Sequence, residues 1–335
     1  MSATIRDVAK ASGVSVGTVS RYLNGHVLKK ENMKKIEEAI KTLNFEENMI
    51  AKGLRHKKTR SIGVLINSLT DVFATSIVTY LENYLEERNY TLILGDYQND
   101  YNRLEKKLEF LKSRSVDGVV VFHLEHKLPV LEKYKEDKIP VIAVDSPIRD
   151  FVTDVVVVNN HKASYEAIGK LIEKGHEEIG IIAGTQDRYI GYNRLEGAVK
   201  KLEEFHLYNP KMIKIGDYLQ ESGYKLTKEL LQENPEITAL YTMNYYMTLG
   251  AVQALLELRK KIPEDISIIG FDNFALTDII QPKLTVVAQP VQKIGETVGK
   301  LILEDIEAGE FTQNKQVHLE TEFLLGDSVE NRITQ

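Results

Sequence analysis

The chain has 335 residues, of which 43 % are hydrophobic, and it contains no cysteine. This length exceeds one ordinary domain, so we expect two or three units with enough apolar residues to bury their cores. The lack of cysteine excludes disulfides, thiolate metal sites and cysteine nucleophiles. No apolar run approaches the ~18 residues of a membrane span, and the N-terminus shows no signal-like apolar stretch. We therefore expect a cytoplasmic protein with no membrane partner.

Charge is distributed unevenly along the chain. The overall formal charge is −6, but residues 1–60 contain 13 Lys and Arg against 6 Asp and Glu, which gives +7. The remaining residues contain 30 against 43, which gives −13. A basic end on an acidic body is suited to polyanion binding at that end only.

Residues 4–24 predict two short helices joined by a tight turn. Thr4 can cap the first helix together with Asp7, and Gly13 supplies the backbone freedom to end it. Ser15 can then cap the second helix. This arrangement is a helix-turn-helix, although any small helical hairpin shares the pattern.

The second predicted helix runs from Val16 to about Asn24, with Val19 and Leu23 facing inward. Its surface carries Gly17, Thr18, Arg21 and Tyr22. In a helix-turn-helix the start of this helix enters the major groove. The predicted DNA-binding residues are Val16, Gly17 and Arg21 at base edges, Thr18, Ser20 and Asn24 nearer phosphates, and the capping Thr4 and Ser15.

Arg21 is the residue from which we expect base reading. Among these side chains it alone has the fork that fits the two acceptors of guanine.

Residues 4–25 read Thr-Ile-x-Asp-Val-Ala-x-x-Ser-Gly-Val-Ser-x-x-Thr-Val-Ser-Arg-x-Leu-Asn-Gly. This order resembles the lactose/galactose-repressor family of bacterial transcription regulators, and the resemblance extends over nearly the whole chain. It implies a helix-turn-helix reading head, a third helix, a hinge helix and a core like that of sugar-binding proteins.

The third helix is predicted from Lys30 to Leu43, where apolar residues recur at helical spacing. It would close the small core over Val8, Val19 and Leu23. A three-helix DNA-binding domain over residues 1–47 results.

Residues 48–60 match the hinge helix and linker of the family. The resemblance places this helix against the minor groove, with Leu54 as a wedge in the central base step. The hinge residues implied to contact DNA are Asn48, Ala51, Lys52, Leu54 and Arg55. An isolated eight-residue helix is marginal in water, so its folding should be coupled to binding DNA and the dimer mate. Phe45-Glu46-Glu47-Asn48 lacks the family's usual proline, and a solvated charged linker is the alternative interpretation.

From Ser61 onward, short apolar runs alternate with amphipathic helices. The runs lie at 62–66, 92–94, 119–122 and 141–144, and again at 179–183, 239–242, 266–270 and 285–288. They predict an α/β core, residues 61–335, of two lobes in which parallel sheets are covered by helices, like a periplasmic binding protein. Lobe one covers 61–160 plus part of 290–325, and lobe two covers 161–289 plus the C-terminal strands. A closing helix from Val291 to Glu307 and a strand pair near Val317 to Leu324 complete them.

Open parallel sheets bind ligands beyond the carboxyl ends of their strands. The polar and aromatic residues predicted there suit a polyhydroxylated molecule. The predicted effector-binding residues are Asn67, Asp71, Phe73, Asp145, Arg194, Tyr218, Asn244, Asp272 and Gln289. Asp96, Tyr97, His123, Gln186 and Arg188 also follow strands. Any one of these residues could instead be an ordinary cap or loop residue.

The resemblance gives most weight to Asp145, Arg194, Asn244 and Asp272, which fall on positions that the family uses for its effector. One departure is clear: where the family commonly has Asn-Asp-x-Met, this chain has Asn244-Tyr245-Tyr246-Met247. The family's effector is therefore less transferable than its fold.

The sequence does not indicate an enzyme. It contains no phosphate loop and no dinucleotide-binding glycine motif, so no cofactor is expected. His123 and His126 could form a metal pair, but polar surface residues are the preferred interpretation and no metal is expected.

We interpret the chain as a repressor of carbohydrate-utilisation genes that binds near-palindromic double-stranded operator DNA as a homodimer. A small sugar or sugar derivative between the lobes would change operator affinity. The alternatives are an activator or corepressor-dependent regulator of the same family, or, for the core alone, a sugar-binding transport protein. The family's catabolite-control branch, which binds a phosphorylated partner protein, has an aromatic residue and an arginine where this chain has Gln292 and Lys300. This departure weakens the resemblance to that branch.

Overall fold

A computed structural model describes residues 3–23, 26–45, 58–275 and 279–333. Its internal contacts divide the chain into two units, Met1–Arg60 and Ser61–Gln335. Asn24 and the hinge residues Asn48, Ala51, Lys52, Leu54 and Arg55 lie outside the described residues.

The first unit contains helices α1 (Ile5–Ser12), α2 (Val16–Leu23) and α3 (Lys30–Leu43). The predicted capping box is present at α1, where Thr4 and Asp7 exchange hydrogen bonds, and Gly13 ends the helix with φ 67°. Thr18 N–H donates to Ser15 Oγ over 3.2 Å and so caps α2.

The core of this unit is small and tightly closed. Val8, Val19 and Ile36 are fully buried, one from each helix. Tyr22 was predicted on the surface, but its ring packs against this core and its hydroxyl donates to Glu37 Oε1 over 2.9 Å. A ring at this position reaches α3 because the two helices lie close together, which helical spacing within α2 cannot show.

The second unit contains two six-stranded sheets. Sheet one has the order β11-β5-β4-β3-β1-β2 and is parallel throughout. Its strands are β1 (Ser61–Ile66), β2 (Thr91–Asp96), β3 (Gly118–Phe122), β4 (Val141–Val144), β5 (Asp154–Val158) and β11 (Gln316–Leu319). The helices around it are α4 (Val72–Glu86), α5 (Tyr101–Ser113), α6 (Val130–Glu136) and α11 (Val291–Ala308).

Sheet two has the order β12-β10-β9-β8-β6-β7, and β12 is antiparallel to β10. Its strands are β6 (Ile179–Ala183), β7 (Ile213–Ile215), β8 (Ala239–Thr242), β9 (Ser267–Phe271), β10 (Thr285–Ala288) and β12 (Glu322–Leu324). The helices with it are α7 (Asn160–Glu173), α8 (Tyr189–Glu204), α9 (Gln220–Glu233) and α10 (Tyr245–Glu257), and a 3₁₀ turn spans Pro210–Met212.

The central strands of each sheet are buried on both faces. In β1, Ile62, Val64 and Ile66 join the apolar cluster under α4 and α11, while Leu65 joins the cluster on the other face. Strands buried on both faces read as continuous apolar runs, which is why they could be recognised in the sequence. The predicted α/β architecture with two lobes is confirmed.

The two strands predicted near 317–324 are present and complete the two lobes, but they do not pair with each other. β11 extends sheet one beside β5, whereas β12 extends sheet two beside β10. The chain crosses between the lobes there, as it also does between β5 and α7 and between β10 and α11. Gln289 lies on the last of these connections.

Candidate functional sites

The exposed face of α2 presents Gly17 and Arg21, which lie one helical turn apart. Thr18 and Ser20 are half-exposed beside them. Val16 is also half-exposed and packs partly against the core of the head, so less of it is available to a base edge than the sequence indicates. The face combines one long cation with a residue that has no side chain, which permits close approach of DNA.

Three of the hydroxyls predicted to lie at the DNA-binding surface, the capping Thr4 and Ser15 and the phosphate-side Thr18, are held by local bonds. Ser15 Oγ and Thr18 Oγ1 lie 2.8 Å apart at the start of α2. Thr4 Oγ1 donates to Asp7 Oδ2 over 2.7 Å. These contacts fix the helix ends and leave further acceptor capacity on each hydroxyl.

A cavity of about 610 Å³ lies between the two lobes of the second unit. The structure brings together all nine residues predicted from strand ends, since each of them lines this cavity: Asn67, Asp71, Phe73, Asp145, Arg194, Tyr218, Asn244, Asp272 and Gln289. Residues from lobe one form one wall and residues from lobe two the opposite wall. A ligand here would contact both lobes.

The lobe-one wall is built on a partly buried histidine between two carboxylates. His123 Nδ1 lies 3.0 Å from Asp145 Oδ2, and its Nε2 lies 3.8 Å from Asp71 Oδ2. Burial disfavours the imidazolium, but hydrogen bonds and attraction from Asp145 and Asp71 outweigh it and raise the pKa of His123 to about 10. Burial opposes the ionisation of Asp71. The hydrogen bond and the positive charge of His123 outweigh this effect and hold the pKa of Asp71 below its ordinary value.

Asp71 also caps α4. Its Oδ1 accepts the N–H groups of Phe73 and Ala74 over 3.0 and 3.3 Å. Both Asp145 and His123 adopt left-handed backbone, with φ 71° and 50°. These two residues turn sharply at the ends of β4 and β3, which brings their side chains together.

The lobe-two wall is built on Arg194 and Asp272, both nearly fully buried. Arg194 donates to Asn160 Oδ1 over 2.7 Å and to the Met243 carbonyl over 2.6 Å, and its guanidinium lies 3.6 Å above the Phe271 ring. Asp272 Oδ1 accepts from Gln289 Nε2 over 2.6 Å. Burial raises the pKa of Asp272, against the opposing attraction of Arg194.

Asn244 and Tyr218 are oriented by the protein itself. Asn244 Oδ1 accepts the Met247 N–H over 2.8 Å and caps α10, while its Nδ2 donates to the Tyr218 carbonyl over 3.2 Å. Burial raises the pKa of Tyr218 to about 12, so its hydroxyl stays protonated.

Aromatic rings line the cavity more extensively than the sequence indicates. Tyr245 makes edge contacts with Tyr246 and with Phe274, in each case with ring centroids 5.1 Å apart. Together with Phe73, these rings form an apolar wall beside the polar groups. Sequence reasoning missed Phe274, although its position two residues after Asp272 was an available signal.

Two sets of hydrogen bonds join the lobes across the cavity. Tyr246 Oη donates to the Thr70 carbonyl over 2.6 Å and accepts the Val72 N–H over 3.3 Å. On another side, the Glu125 carboxylate accepts the Tyr189 N–H over 3.0 and 3.1 Å at the start of α8. The lobes are therefore held closed by specific polar contacts.

The other residues that follow strands do not all lie at this cavity. His123 and Arg188 line the cavity, and Gln186 lines a neighbouring cavity of about 410 Å³. Asp96 and Tyr97 lie outside both, and Tyr97 is buried with its hydroxyl donating to the Phe122 carbonyl.

The two histidines considered as a metal pair point to different partners. His123 bonds with its carboxylates, whereas His126 packs edge-on against Tyr101 with centroids 5.8 Å apart. Within the described ranges, no group of three or more His, Cys, Asp or Glu side chains could hold a metal ion.

Comparison with known proteins gives two family matches that together cover most of the chain. The model for bacterial regulatory proteins of the lacI family matches residues 4–48. The model for periplasmic binding proteins and the sugar-binding domain of the LacI family matches residues 59–325. The chain belongs to the LacI family.

A relative in sequence agrees with this family membership, and solved structures agree with the fold. The chain is 35 % identical over 323 residues to the HTH-type transcriptional repressor PurR of Proteus mirabilis (strain HI4320), covering 94 % of each chain. It is similar in structure to the Lac repressor dimer bound to operator and the anti-inducer ONPF, with TM-score 0.87, 22 % identity, and coverage of 98 % of this chain and 100 % of that one. A CelR–cellobiose complex gives TM-score 0.74 and 26 % identity, covering 97 % and 99 % of the two chains.

This LacI-family chain is a DNA-binding transcriptional repressor with an effector-binding core. Among the described residues, no helix is both long and apolar enough to span a membrane.

Proposed function

We propose that the chain represses carbohydrate-utilisation genes by binding a near-palindromic operator as a homodimer. The observation that carries DNA recognition is the exposed face of α2, with Gly17 and Arg21 presented from a capped and tightly packed three-helix head. One head makes few base contacts, whereas two heads related by a two-fold axis double them on a palindrome. The +7 charge of residues 1–60 supplies the attraction to phosphates.

We further propose that a small sugar-like effector binds in the cavity between the lobes and changes operator affinity. The support is the combination of buried carboxylates, amides and Arg194 with the rings of Phe73 and Tyr245. Such groups bind hydroxyls by paired hydrogen bonds and cover the apolar face of a sugar ring. The cellobiose complex of a relative with 26 % identity favours the same class of ligand.

The effector can shift the equilibrium between open and closed lobes only if it binds one of these forms more tightly than the other. Asp145 and Asp272 lie on opposite walls, so a ligand that contacts both has different affinities for open and closed forms. A coupling of about 1–3 kcal/mol between effector and operator is then the ordinary magnitude.

The test of DNA recognition is selection of binding sites from randomised duplex DNA by the full chain, followed by titration of the selected site at several salt concentrations. We expect a near-palindromic site and an affinity whose logarithm falls linearly with the logarithm of salt concentration. Affinity that is independent of salt, or that survives removal of residues 1–60, would contradict the proposal.

A further inference from the structure

The charges that line the cavity are strongly unbalanced. Its walls carry six carboxyl groups, from Asp71, Glu125, Asp145, Asp187, Asp217 and Asp272, against the cations His123, Arg188 and Arg194. An anionic ligand entering this cavity would therefore meet a surplus of negative charge at short range, where the interior screens it poorly.

Two of the three cations already interact with other groups of the protein. His123 lies between Asp71 and Asp145, with a ring nitrogen turned to each. Arg194 uses two of its five N–H donors on Asn160 and Met243, and its guanidinium is held flat over Phe271. Arg188 remains, and it lies on the wall shared with the neighbouring cavity, beside the Glu125 carboxylate.

The helix N-termini at the cavity are occupied as well. Free N–H groups at a helix start are the usual binding site for phosphate. Here the Asp71 carboxylate takes those of α4, the Glu125 carboxylate takes that of Tyr189 in α8, and the Asn244 amide oxygen caps α10. Asp217 accepts the Leu219 N–H just before α9. At α4, α8 and α10, first-turn N–H groups that could bind a phosphate therefore already have an acceptor from the protein.

The cavity has a surplus of hydrogen-bond acceptors. Asn67 donates to Asp71, and Gln289 donates to Asp272. In each residue the amide oxygen is buried and has no partner among the described residues. Rotating either amide would turn its oxygen onto a carboxylate, so the orientation with NH₂ toward the acid is the favoured one.

We infer that the effector is a donor-rich ring compound without an anionic group, such as an unphosphorylated sugar or amino sugar, and that phosphate esters and carboxylates are rejected. Hydroxyl or amino hydrogens satisfy the amide oxygens of Asn67 and Gln289 and the free lone pairs of Asp145 and Asp272. A phosphate offers acceptors where acceptors are already in excess. This inference rests on the proposed function, because it assigns the chemical class of the ligand that the cavity binds.

A bacterial extract separated by charge tests the inference, because it presents anionic and non-anionic small molecules to the protein side by side. A small-molecule extract of bacterial cells is separated on an anion exchanger at pH 7 into a flow-through of neutral and cationic molecules and a retained anionic fraction. Both fractions are brought to the same ionic strength, because operator binding depends on salt. The full chain is then assayed with each for thermal unfolding and for operator affinity.

We expect the flow-through alone to raise Tm by about 5 °C at saturation and to change operator affinity. Activity in the retained fraction overturns the inference and leaves the proposed function standing. A response to neither fraction overturns the proposed effector control and the inference with it.

Two matched variants test whether the molecule that causes the response binds in this cavity. Asp272 and Asp150 both have left-handed backbone, with φ 73° and 58°, and asparagine tolerates that conformation. Asp272→Asn removes a cavity charge with almost no change of shape, and we expect about a 10- to 100-fold higher concentration of flow-through for half-maximal response. Asp150→Asn, at an exposed residue outside the cavity, should respond like wild type. An unchanged response of Asp272→Asn, with both variants folded and binding operator normally, would place the ligand elsewhere.

Discussion

Replacing His123 by asparagine should remove a pH-dependent part of the stability of the core. His123 lies partly buried between Asp71 and Asp145, and its pKa is raised from 6.5 to about 10 in the folded chain. Because the folded value is the higher one, the stabilisation is complete below pH 6.5 and is lost as the pH rises through 10. Taking these two values, the contribution falls by about 3 kcal/mol between pH 6 and pH 9.

Loss of the histidine leaves two carboxylates close together without their shared cation. Removing one partner of a buried ion pair costs about 3–5 kcal/mol, so His123→Asn should be destabilised by that amount at pH 6. At pH 9 the wild type has itself lost most of this stabilisation. The difference between wild type and variant should therefore shrink by about 3 kcal/mol between pH 6 and pH 9.

Urea unfolding at the two pH values measures this difference. Near-ultraviolet circular dichroism of the tyrosines can follow the core, since the chain contains 16 Tyr and no Trp. His206→Asn is the matched control, because His206 is exposed and also has positive φ, at 60°. The pKa of Asp71 is lowered, so this carboxylate stays ionised from pH 6 to pH 9 and does not contribute to the difference. A difference between wild type and His123→Asn that stays constant from pH 6 to pH 9 refutes a charged His123.

Three further predictions concern DNA and closure. Arg21→Ala should cost about 1–3 kcal/mol on the selected operator and relax one symmetric pair of base positions, whereas equal losses on random DNA in filter binding would assign Arg21 to phosphate. Leu54→Ala, outside the described residues, should weaken specific binding and leave effector binding unchanged; footprints of the wild type without central distortion would contradict a wedge. Tyr246→Phe removes the bonds to Thr70 and Val72 and should weaken effector affinity about 5- to 10-fold by calorimetry, with Tyr208→Phe, an exposed tyrosine outside the cavity, as control.

Local signals in the sequence explain why some elements could be predicted and others could not. The helices of the head followed from Thr4, Gly13 and the spacing of Val8, which act over a few residues. The strand Asp154–Val158 was not predicted, because it follows β4 without an intervening helix. Ile213–Ile215 was also not predicted, because three residues carry too little periodicity.

The elements of the head, the two-lobed α/β architecture and the residues at strand ends could be predicted from the amino-acid order, because caps, glycines and apolar runs are short-range properties. Which strand-end residues meet depends on the packing of distant segments. Asp71, His123 and Asp145 come from three loops, and the bond from Tyr246 to Val72 spans 174 residues. Asp71, His123 and Asp145 meet because the strand order of sheet one places the ends of β1, β3 and β4 side by side, whereas Tyr246 reaches Val72 because one lobe closes on the other. A pattern within one segment carries no information about the distance between segments.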